Sequence, residues 1–341
     1  MNWLRQQWYE RSLRQMLAGF ARTHLLRAGI GLELFEALRV PRTANQLARD
    51  YRLAPDLLQA WLRAAEAHGL ICVVREPERT YQVCGLARWL LESAQSESLT
   101  ALVDSAIESH GPVFERMPGM LRGGERPDFG GSAQAQRAAQ AARLVEPQAL
   151  EALARIPGAR AAKRVLDIGC GYGTYLTGLL LRYRDAYGLG IERDPAVASI
   201  ASRNIQDADL VRRAEIRVGD FMSVEIDAGL FDLIMLNNNL YYFAPSTREG
   251  LFERVRSRLA EGGVFAIQIP FVSDRLGARI SGLTATTAVF DLFLRSHNNL
   301  YGLPDLAEVH ASLAAVGFST VGEAAFLHGG AARYVWAKKT G

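Results

Sequence analysis

Apolar side chains recur at helical spacing near the start of the chain. The positions are Leu13, Met16, Leu17 and Phe20, followed by Leu25, Leu26, Ile30, Leu34 and Leu38. Apolar residues three and four positions apart lie on one face of a helix, so this stretch predicts two amphipathic helices between residues 11 and 40.

A second pattern follows from residue 43 to residue 83. Thr43 can cap a helix that runs to Tyr51, and Pro55 suits the first turn of another helix that ends at His68 before Gly69. The segment LICVVREPERTYQV then offers two short strands around a turn. Two short helices followed by a hairpin predict a winged helix.

A winged helix can bind DNA through its second helix. Here the predicted core side of that helix consists of Leu57, Leu58, Trp61, Leu62 and Ala65. The opposite face carries Asp56 and Glu66, and carboxylates repel phosphates. We therefore do not expect a nucleic-acid partner, and a DNA-binding, ligand-sensing regulator remains the alternative from another functional class.

The second half of the chain alternates short apolar runs with helical stretches. The runs are RVLDI, AYGLGIE, AEIRVGD, FDLIMLN and GVFAIQI, and two late candidates at 320–326 and 333–338 are separated only by LHGGAA. Such alternation predicts a mostly parallel sheet covered by helices, while the short last connection allows only an antiparallel hairpin. The expected fold class is α/β: a Rossmann-like domain with a seven-stranded, mostly parallel sheet and an antiparallel last strand, preceded by a mainly helical winged-helix domain.

Composition adds limits to this picture. The chain of 341 residues has 39 basic and 36 acidic residues and a net charge of +3, which gives no electrostatic footprint for nucleic acid or anionic membranes. No apolar run approaches the roughly 20 residues of a membrane span, so no membrane partner is expected. The three cysteines form no CxxC pair, which predicts neither a disulfide framework nor a zinc cluster and favours a reducing cytoplasm.

The stretch VLDIGCGYGT places a glycine loop between a predicted strand and a helix. Gly169, Gly171 and Gly173 would let a ligand approach the backbone at the carboxyl end of the strand. The spacing differs from the GxGxxG fingerprint of dinucleotide sites, because Thr174 stands where that motif needs Gly or Ala. Phosphate is therefore not the favoured ligand.

Acidic residues stand at the ends of the neighbouring strands. Glu192 ends the second strand, where a carboxylate can accept two hydrogen bonds from a ribose diol. Asp220 ends the third strand with Phe221 beside it, and Asp167 lies just before the glycine loop. This set suits an adenosine that carries an ammonium group and no phosphate.

The segments VLDIGCGYG, GIERD, VGDF and LAEGGVFAIQI resemble the successive motifs of class I S-adenosylmethionine-dependent methyltransferases. With the winged helix, nearly the whole chain is similar to two-domain O-methyltransferases that act on small natural products. The resemblance implies domains at 1–98 (dimerisation), 99–150 (a helical connector bordering the substrate) and 151–341 (methyl transfer). It also implies a homodimer, to which we expect Trp3, Trp8 and Phe20 to contribute.

Residue roles follow from the same resemblance, with S-adenosylmethionine as the implied cofactor. Gly169, Gly171 and Gly173 would lie close to its methionine part, and Asn237 would also lie near the methionine. Glu192 would hold the ribose, and Asp220 and Phe221 would frame the adenine. Asp167 would support the loop or the amino group. The acceptor would be a small aromatic or polyketide-like molecule with an oxygen, carbon or nitrogen nucleophile.

One family feature is missing. The family commonly has a His-Asp pair after the fourth strand, whereas this chain reads LNNNLYYFAPS, with Tyr241 and Tyr242 at those positions. A tyrosine with a pKa near 10 is a poor proton acceptor at neutral pH. The catalytic candidates are therefore His297 first, then His110 and Tyr241, and because the asparagines and tyrosines are not metal-binding histidines no metal is expected.

Two further questions stay open on the sequence. The three consecutive asparagines, 237–239, could orient a substrate group or cap the helix that follows. Without the family's base, the chain could also bind S-adenosylmethionine and catalyse a hydroxylation, cyclisation or dehydration.

Overall fold

The computed structural model describes residues 3–75, 77–130, 132–270, 283–326 and 332–340. The chain divides into two compact units, residues 1–109 and 110–341. The finer division at residues 98 and 150 stays a prediction.

The first unit is mainly helical. Its elements are α1 (Trp3–Gly31), α2 (Leu34–Ala37), β1 (Arg42–Thr43), α3 (Ala44–Tyr51), α4 (Pro55–Ala67), β2 (Ile71–Arg75), β3 (Thr80–Val83), α5 (Gly85–Glu92) and α6 (Ser96–Asp104), followed by a π-helical turn at Ser105–His110. The three strands form one antiparallel sheet in the order β1-β3-β2. The predicted pair of helices and the hairpin after it are confirmed.

The helix ends follow from local side-chain chemistry. The Thr43 hydroxyl accepts from the Gln46 N–H while the Gln46 side chain accepts from the Thr43 N–H, so both groups are paired at the start of α3. The two helices predicted between residues 11 and 40 correspond to α1, which is continuous to Gly31, and to the short α2. The chain turns only at Glu33, whose φ of 55° is left-handed.

Helix α4 buries a narrower stripe than predicted. Leu58, Leu62 and Ala65 are buried at spacings of four and three residues, whereas Leu57 is 69% exposed. Leu57 precedes Leu58 by about 100° around the helix, which turns its side chain away from this stripe.

The prediction that the cysteines form no disulfide is wrong. Cys72 in β2 and Cys84 directly after β3 are bonded, with their Cα atoms 5.9 Å apart. The antiparallel pairing of β2 with β3 brings these two residues to bridging distance across the hairpin. Only Cys170 is free, and the cysteines give no argument for a reducing compartment. The cytoplasmic location stays a prediction.

The second unit holds eight α-helices and seven strands among its described residues. The helices are α7 (Gly111–Leu121), α8 (Ser132–Ala142), α9 (Glu146–Leu153), α10 (Thr174–Arg182), α11 (Pro195–Asp207), α12 (Arg248–Arg258), α13 (Leu283–Arg295) and α14 (Leu306–Ala315). The strands are β4 (Arg164–Ile168), β5 (Tyr187–Glu192), β6 (Ala214–Val218), β7 (Phe231–Asn237), β8 (Leu259–Pro270), β9 (Thr320–Ala325) and β10 (Ala332–Lys338).

The seven strands form one sheet in the order β6-β5-β4-β7-β8-β10-β9. Strands β4 to β8 are parallel to one another, and β10 is antiparallel to both β8 and β9. The predicted α/β class and the antiparallel last hairpin are confirmed; the turn of that hairpin, with His328, lies outside the described residues.

The strand order locates the expected ligand edge. From β4 the chain builds outward through β5 and β6, and it then returns to the other side of β4 to add β7. Open α/β sheets bind ligands where the order reverses, at the carboxyl ends of the strands. The segments after β4 and β7 therefore meet at this switch point.

Apolar side chains cover both faces of the sheet. Leu166, Ile234 and Phe265 belong to the core on one face, which also packs against α12 and α14. Val165, Leu233 and Val264 belong to the core on the other face, together with residues of α9 and α10. None of the helices in the described ranges is long and apolar enough to cross a membrane.

Candidate active site

The glycine loop joins β4 to α10 in a backbone conformation that side chains disfavour. Gly169, Gly171 and Gly173 have φ values of 62°, 55° and 69°. A Cβ atom on Gly169 would lie 2.7 Å from Asn239 Nδ2, whereas a Cβ on Gly171 would have no atom within 4 Å. Gly169 is therefore needed for packing within the protein, and Gly171 borders open space that a ligand could fill.

Glu192 ties the end of β5 to this loop. Its Oε2 accepts from the Gly171 N–H at 3.0 Å, and its Oε1 accepts from the Asp194 N–H at 3.0 Å. Each carboxylate oxygen can accept more than one hydrogen bond, so the side chain keeps capacity for a ligand's hydroxyl groups. Glu192 both shapes the loop and presents negative charge beside it.

Asp167 lies at the end of β4 and is 1% exposed. Its Oδ1 accepts from Asn237 Nδ2 at 3.2 Å. Burial raises the pKa of Asp167 to about 7; the hydrogen bond from Asn237 opposes this rise, and the charges of Glu192 and Glu146 add to it. A nearby cation would lower this pKa again and would hold the carboxylate charged.

Asp220 and Phe221 follow β6 in different environments. Asp220 is exposed, and its Oδ1 accepts from the Met222 N–H at 2.8 Å, which fixes the turn after the strand. The Phe221 ring is 3% exposed and packs in the core, with the Arg254 guanidinium 5.3 Å from its centre. The expected contact of Phe221 with an adenine stays a prediction, and Met222 is the more exposed side chain at this turn.

The three asparagines after β7 have three different partners. Asn237 donates to Asp167, Asn238 Nδ2 lies 3.3 Å from Gln268 Oε1, and Asn239 Nδ2 donates to the carbonyls of Ile168 and Gly169 at 3.1 and 2.7 Å. Asn239 precedes the 3₁₀ turn at Leu240–Tyr242 but makes no capping bond with its side chain. The amides therefore brace the glycine loop and its neighbour strands rather than cap a helix.

Five ring side chains form an aromatic cluster that begins at Tyr242, after β7. Its members are Tyr242, Phe129, Phe293, His297 and His110. Ring centres are 6.3 Å apart for Phe129 and Tyr242, 5.5 Å for Phe129 and His297, 4.6 Å for Phe293 and His297, and 4.3 Å for His110 and Phe293. The structure thus brings the two nominated histidines together around Phe293.

His297 is held in a defined protonation form. The ring is 3% exposed, and its Nδ1 lies 2.8 Å from the Phe293 carbonyl oxygen. A carbonyl can only accept, so Nδ1 carries the proton and Nε2 keeps its lone pair. Burial lowers the pKa of His297 below its usual value, against the opposing effects of that carbonyl and Asp128. At neutral pH the imidazole is therefore uncharged and able to accept a proton.

The other catalytic candidates differ from His297. Burial, with a contribution from His297, lowers the pKa of His110. Burial raises the pKa of Tyr241 well above its usual value and that of Tyr242 to about 12, so both tyrosines stay protonated at neutral pH. Of these four side chains, the two histidines alone are suited to accept a proton.

A loop before α8 is fastened beside the cluster by two asparagines that follow His297. Asn299 donates to the Phe129 carbonyl at 2.7 Å and accepts from the Phe129 N–H at 2.7 Å. Asn298 donates to the Arg126 carbonyl at 2.6 Å. These bonds set where the Phe129 ring lies.

In the part of the chain that the structure covers, no three His, Cys, Asp or Glu side chains are grouped to hold a metal ion.

Sequence reasoning missed two residues of this region, Phe129 and Tyr334, and it did not predict that Asn239 holds the glycine loop. Tyr334 lies on β10, which β8 separates from β7, and its Oη donates to Asn237 Oδ1 at 3.0 Å. For the amides, the available signal was three polar residues directly after a buried strand. No local pattern indicates Phe129 or Tyr334, because both reach the site through tertiary packing.

Comparisons with known proteins identify related domains in this chain. Residues 14–93 match the model of the O-methyltransferase dimerisation domain, and residues 165–263 match a methyltransferase domain. A trans-aconitate 2-methyltransferase of Delftia acidovorans is 35% identical over 124 residues, which cover 36% of this chain and 43% of that protein. The chain thus spans less than half the length of this curated relative.

Solved structures share the whole fold at low identity. An O-methyltransferase family protein of Burkholderia thailandensis has a TM-score of 0.80 at 19% identity, covering 96% of this chain and 97% of that one. Human N-acetylserotonin methyltransferase, solved with S-adenosylmethionine, has a TM-score of 0.78 at 16% identity, covering 98% of both chains. With the two domain matches and the strand-end motifs, the chain belongs to the two-domain class I S-adenosylmethionine-dependent methyltransferases, in which an O-methyltransferase dimerisation domain precedes the methyltransferase domain.

Proposed function

We propose that this protein transfers a methyl group from S-adenosylmethionine to an oxygen, carbon or nitrogen nucleophile of a small aromatic molecule. The observation that carries the proposal is the arrangement at the switch point of the sheet. Open space at Gly171 adjoins the carboxylate of Glu192, and Asp167 is buried just before the same loop. The aromatic cluster contains Tyr242 and the neutral His297.

The assignment of the cofactor rests on the carboxylates of Glu192 and Asp167 and on the open space at Gly171. Glu192 would accept hydrogen bonds from the ribose hydroxyls, and the buried Asp167 would face the ammonium group of the methionine part. Asp220 would face the adenine side. When bound, S-adenosylmethionine supplies an activated methyl group on a positively charged sulfur. Carboxylates at this loop favour such a ligand because opposite charges attract, and the attraction is strongest at the buried Asp167, which little water screens.

The acceptor part of the proposal uses the aromatic cluster. Phenyl and phenol rings bind flat aromatic molecules by stacking and by edge contacts. His297 Nε2 would take the proton from an acceptor hydroxyl, and the Nδ1 bond to the Phe293 carbonyl would hold the ring in place. An acceptor that already reacts as a phenolate, enolate or amine would need only the positioning.

Titration calorimetry tests the cofactor assignment. We expect S-adenosylmethionine and S-adenosylhomocysteine each to bind one site per chain. Both carry the ribose and the ammonium group that Glu192 and Asp167 would contact. If neither ligand gives a heat of binding, the proposal is contradicted.

We further propose a homodimer formed by the first unit. The unit matches the dimerisation domain over residues 14–93, and Trp3, Trp8 and Phe20 on α1 are 61–69% exposed. Large exposed aromatic side chains along one helix are typical of a surface that another chain covers. Light scattering should give twice the 37.5 kDa of one chain, and Trp8→Ser with Phe20→Ser should shift the mass toward the monomer. A monomeric wild-type protein would contradict this proposal.

A further inference from the structure

Polar residues interrupt the apolar face of the sheet along one row. Asp167, Asn237, Gln268 and Tyr334 lie on β4, β7, β8 and β10, and none is more than 8% exposed. The strand register places Asn237 beside Gln268 and Gln268 beside Tyr334. The residues two positions earlier on β4 and β7, Val165 and Met235, point to the same face and belong to the apolar core against α9 and α10. Buried polar groups destabilise a core unless they are hydrogen-bonded, so these four residues need partners within the protein or on a ligand.

Two hydrogen bonds connect Tyr334 to Asp167. The Tyr334 hydroxyl donates to Asn237 Oδ1 at 3.0 Å, and Asn237 Nδ2 donates to Asp167 Oδ1 at 3.2 Å. A charged carboxylate only accepts, so the amide must turn its NH₂ group toward Asp167 and its oxygen toward Tyr334. The hydroxyl is the donor that satisfies this oxygen and fixes the amide in that orientation.

The chain of bonds ends at the proposed cofactor loop. Asp167 immediately precedes Ile168 and Gly169, whose carbonyls Asn239 holds. The titratable groups that interact with Asp167 are Glu192 at the end of β5, Glu146 on α9, Cys170 in the loop, Tyr175 on α10 and Tyr334 on β10. No cationic side chain is among these groups in the described ranges, so a bound cation would add to the Asn237 hydrogen bond in stabilising the charged form of Asp167.

We propose that Tyr334 is a positioning residue of the cofactor site, which orients the Asp167 carboxylate toward the ligand's ammonium group through the Asn237 amide. This inference rests on the proposed binding of S-adenosylmethionine. Tyr334 lies on the antiparallel strand β10. Its hydroxyl bonds to Asn237 and not to the glycine loop, so its effect on the loop is indirect.

The expected pH dependence follows from charge. A cationic ligand prefers the charged Asp167, so affinity falls as the pH falls through the pKa of this group, which is about 7 in the unliganded protein. Loss of the hydroxyl frees the Asn237 amide to turn, and Asp167 then loses its donor. Since that hydrogen bond lowers the pKa of Asp167, its loss raises the pKa further.

Calorimetric titration of the 341-residue protein across about pH 5.5 to 8.5 tests the inference. Tyr334→Phe should weaken S-adenosylmethionine by about threefold to tenfold at pH 7 and move the midpoint of its pH dependence upward. 5′-Methylthioadenosine, which lacks the ammonium group, should bind both proteins equally. A merely structural loosening would weaken both ligands.

Matched variants complete the experiment. Tyr81→Phe removes a hydroxyl from another buried tyrosine, in the first unit, and should change neither ligand. In an Asp167→Asn background, Tyr334→Phe should add no pH-dependent effect, because the titrating group is gone. If Tyr334→Phe does not fold, Asn237→Ser breaks the same chain and should move the midpoint in the same direction.

The outcomes separate the two proposals. An unchanged midpoint in a folded Tyr334→Phe variant that binds S-adenosylmethionine would overturn the role of Tyr334 and leave the cofactor assignment intact. Failure of the wild-type protein to bind S-adenosylmethionine at any pH would overturn the cofactor assignment together with the role of Tyr334 in binding. Carbon-13 NMR titration of the Asp167 carboxyl without ligand should show the same upward shift in Tyr334→Phe, and no shift would contradict the coupling itself.

Discussion

His297→Ala is expected to lower kcat of methyl transfer to a hydroxyl acceptor at least tenfold, which is about 1.4 kcal/mol of transition-state stabilisation. The physical reason is the neutral ring with its protonated Nδ1 bound to the Phe293 carbonyl, which leaves Nε2 able to take the acceptor proton. Steady-state kinetics with saturating S-adenosylmethionine measures the effect, and calorimetric binding of the cofactor should be unchanged.

The pH profile adds a second signature of His297. The group works in its neutral form, so activity falls as the pH drops through its pKa. Burial lowers that pKa, and the acidic limb of the profile should therefore lie below pH 6.5. The limb should disappear in His297→Ala.

Tyr241→Phe is the matched control for this prediction. The tyrosine stands where the family has its basic residue, but burial keeps it protonated, so the variant should retain most activity. If Tyr241→Phe proves inactive while His297→Ala resembles the wild type, the tyrosine carries the catalytic role and our assignment is wrong. Full activity of both variants would mean that the acceptor supplies its own nucleophile and that the site mainly positions it.

Glu192→Ala is expected to weaken the binding of S-adenosylmethionine and of S-adenosylhomocysteine alike by about 1.5–3 kcal/mol, or about 10- to 150-fold. The variant would lose the proposed bonds to the ribose and also the bonds to the Gly171 and Asp194 N–H groups that shape the loop. Calorimetry with both ligands measures the loss.

The control for Glu192 is Glu215→Ala. Glu215 lies on the neighbouring strand β6, is exposed and pairs with Arg217, so its removal should leave both affinities unchanged. A folded Glu192→Ala variant with wild-type affinity would remove Glu192 from the cofactor site.

The strands and the ligand edge were predictable because their signals are local. Short apolar runs that end in Gly, Asp or Glu mark buried parallel strands, and the three glycines after β4 mark a loop with left-handed backbone. Thr43 and Pro55 likewise placed two helix starts correctly, since capping depends on neighbouring residues.

The errors came from features that depend on packing between distant residues. The bond between Cys72 and Cys84 depends on the pairing of β2 with β3, which spacing alone does not reveal. Phe221 reads as a side chain at a strand end, but the fold buries its ring beneath Arg254.

The site divides in the same way. The glycines, Glu192 and Asp167 could be nominated from their positions after strands. Tyr334 and Phe129 could not, because they lie 97 and 170 residues away from the partners that place them, Asn237 and Asn299. His297 was nominated on position alone, and its protonation form became clear only from the contact with the Phe293 carbonyl.

Transfer of a labelled methyl group tests the central claim most directly. The protein is incubated with methyl-labelled S-adenosylmethionine and an extract of small aromatic metabolites, with the Glu192→Ala variant as the control. We expect the label to appear in a small aromatic product, with S-adenosylhomocysteine formed in equal amount, and we expect the variant to lose both. Conversion of an acceptor without incorporation of the label, with S-adenosylmethionine bound but unchanged, would contradict methyl transfer and would indicate a hydroxylation, cyclisation or dehydration instead.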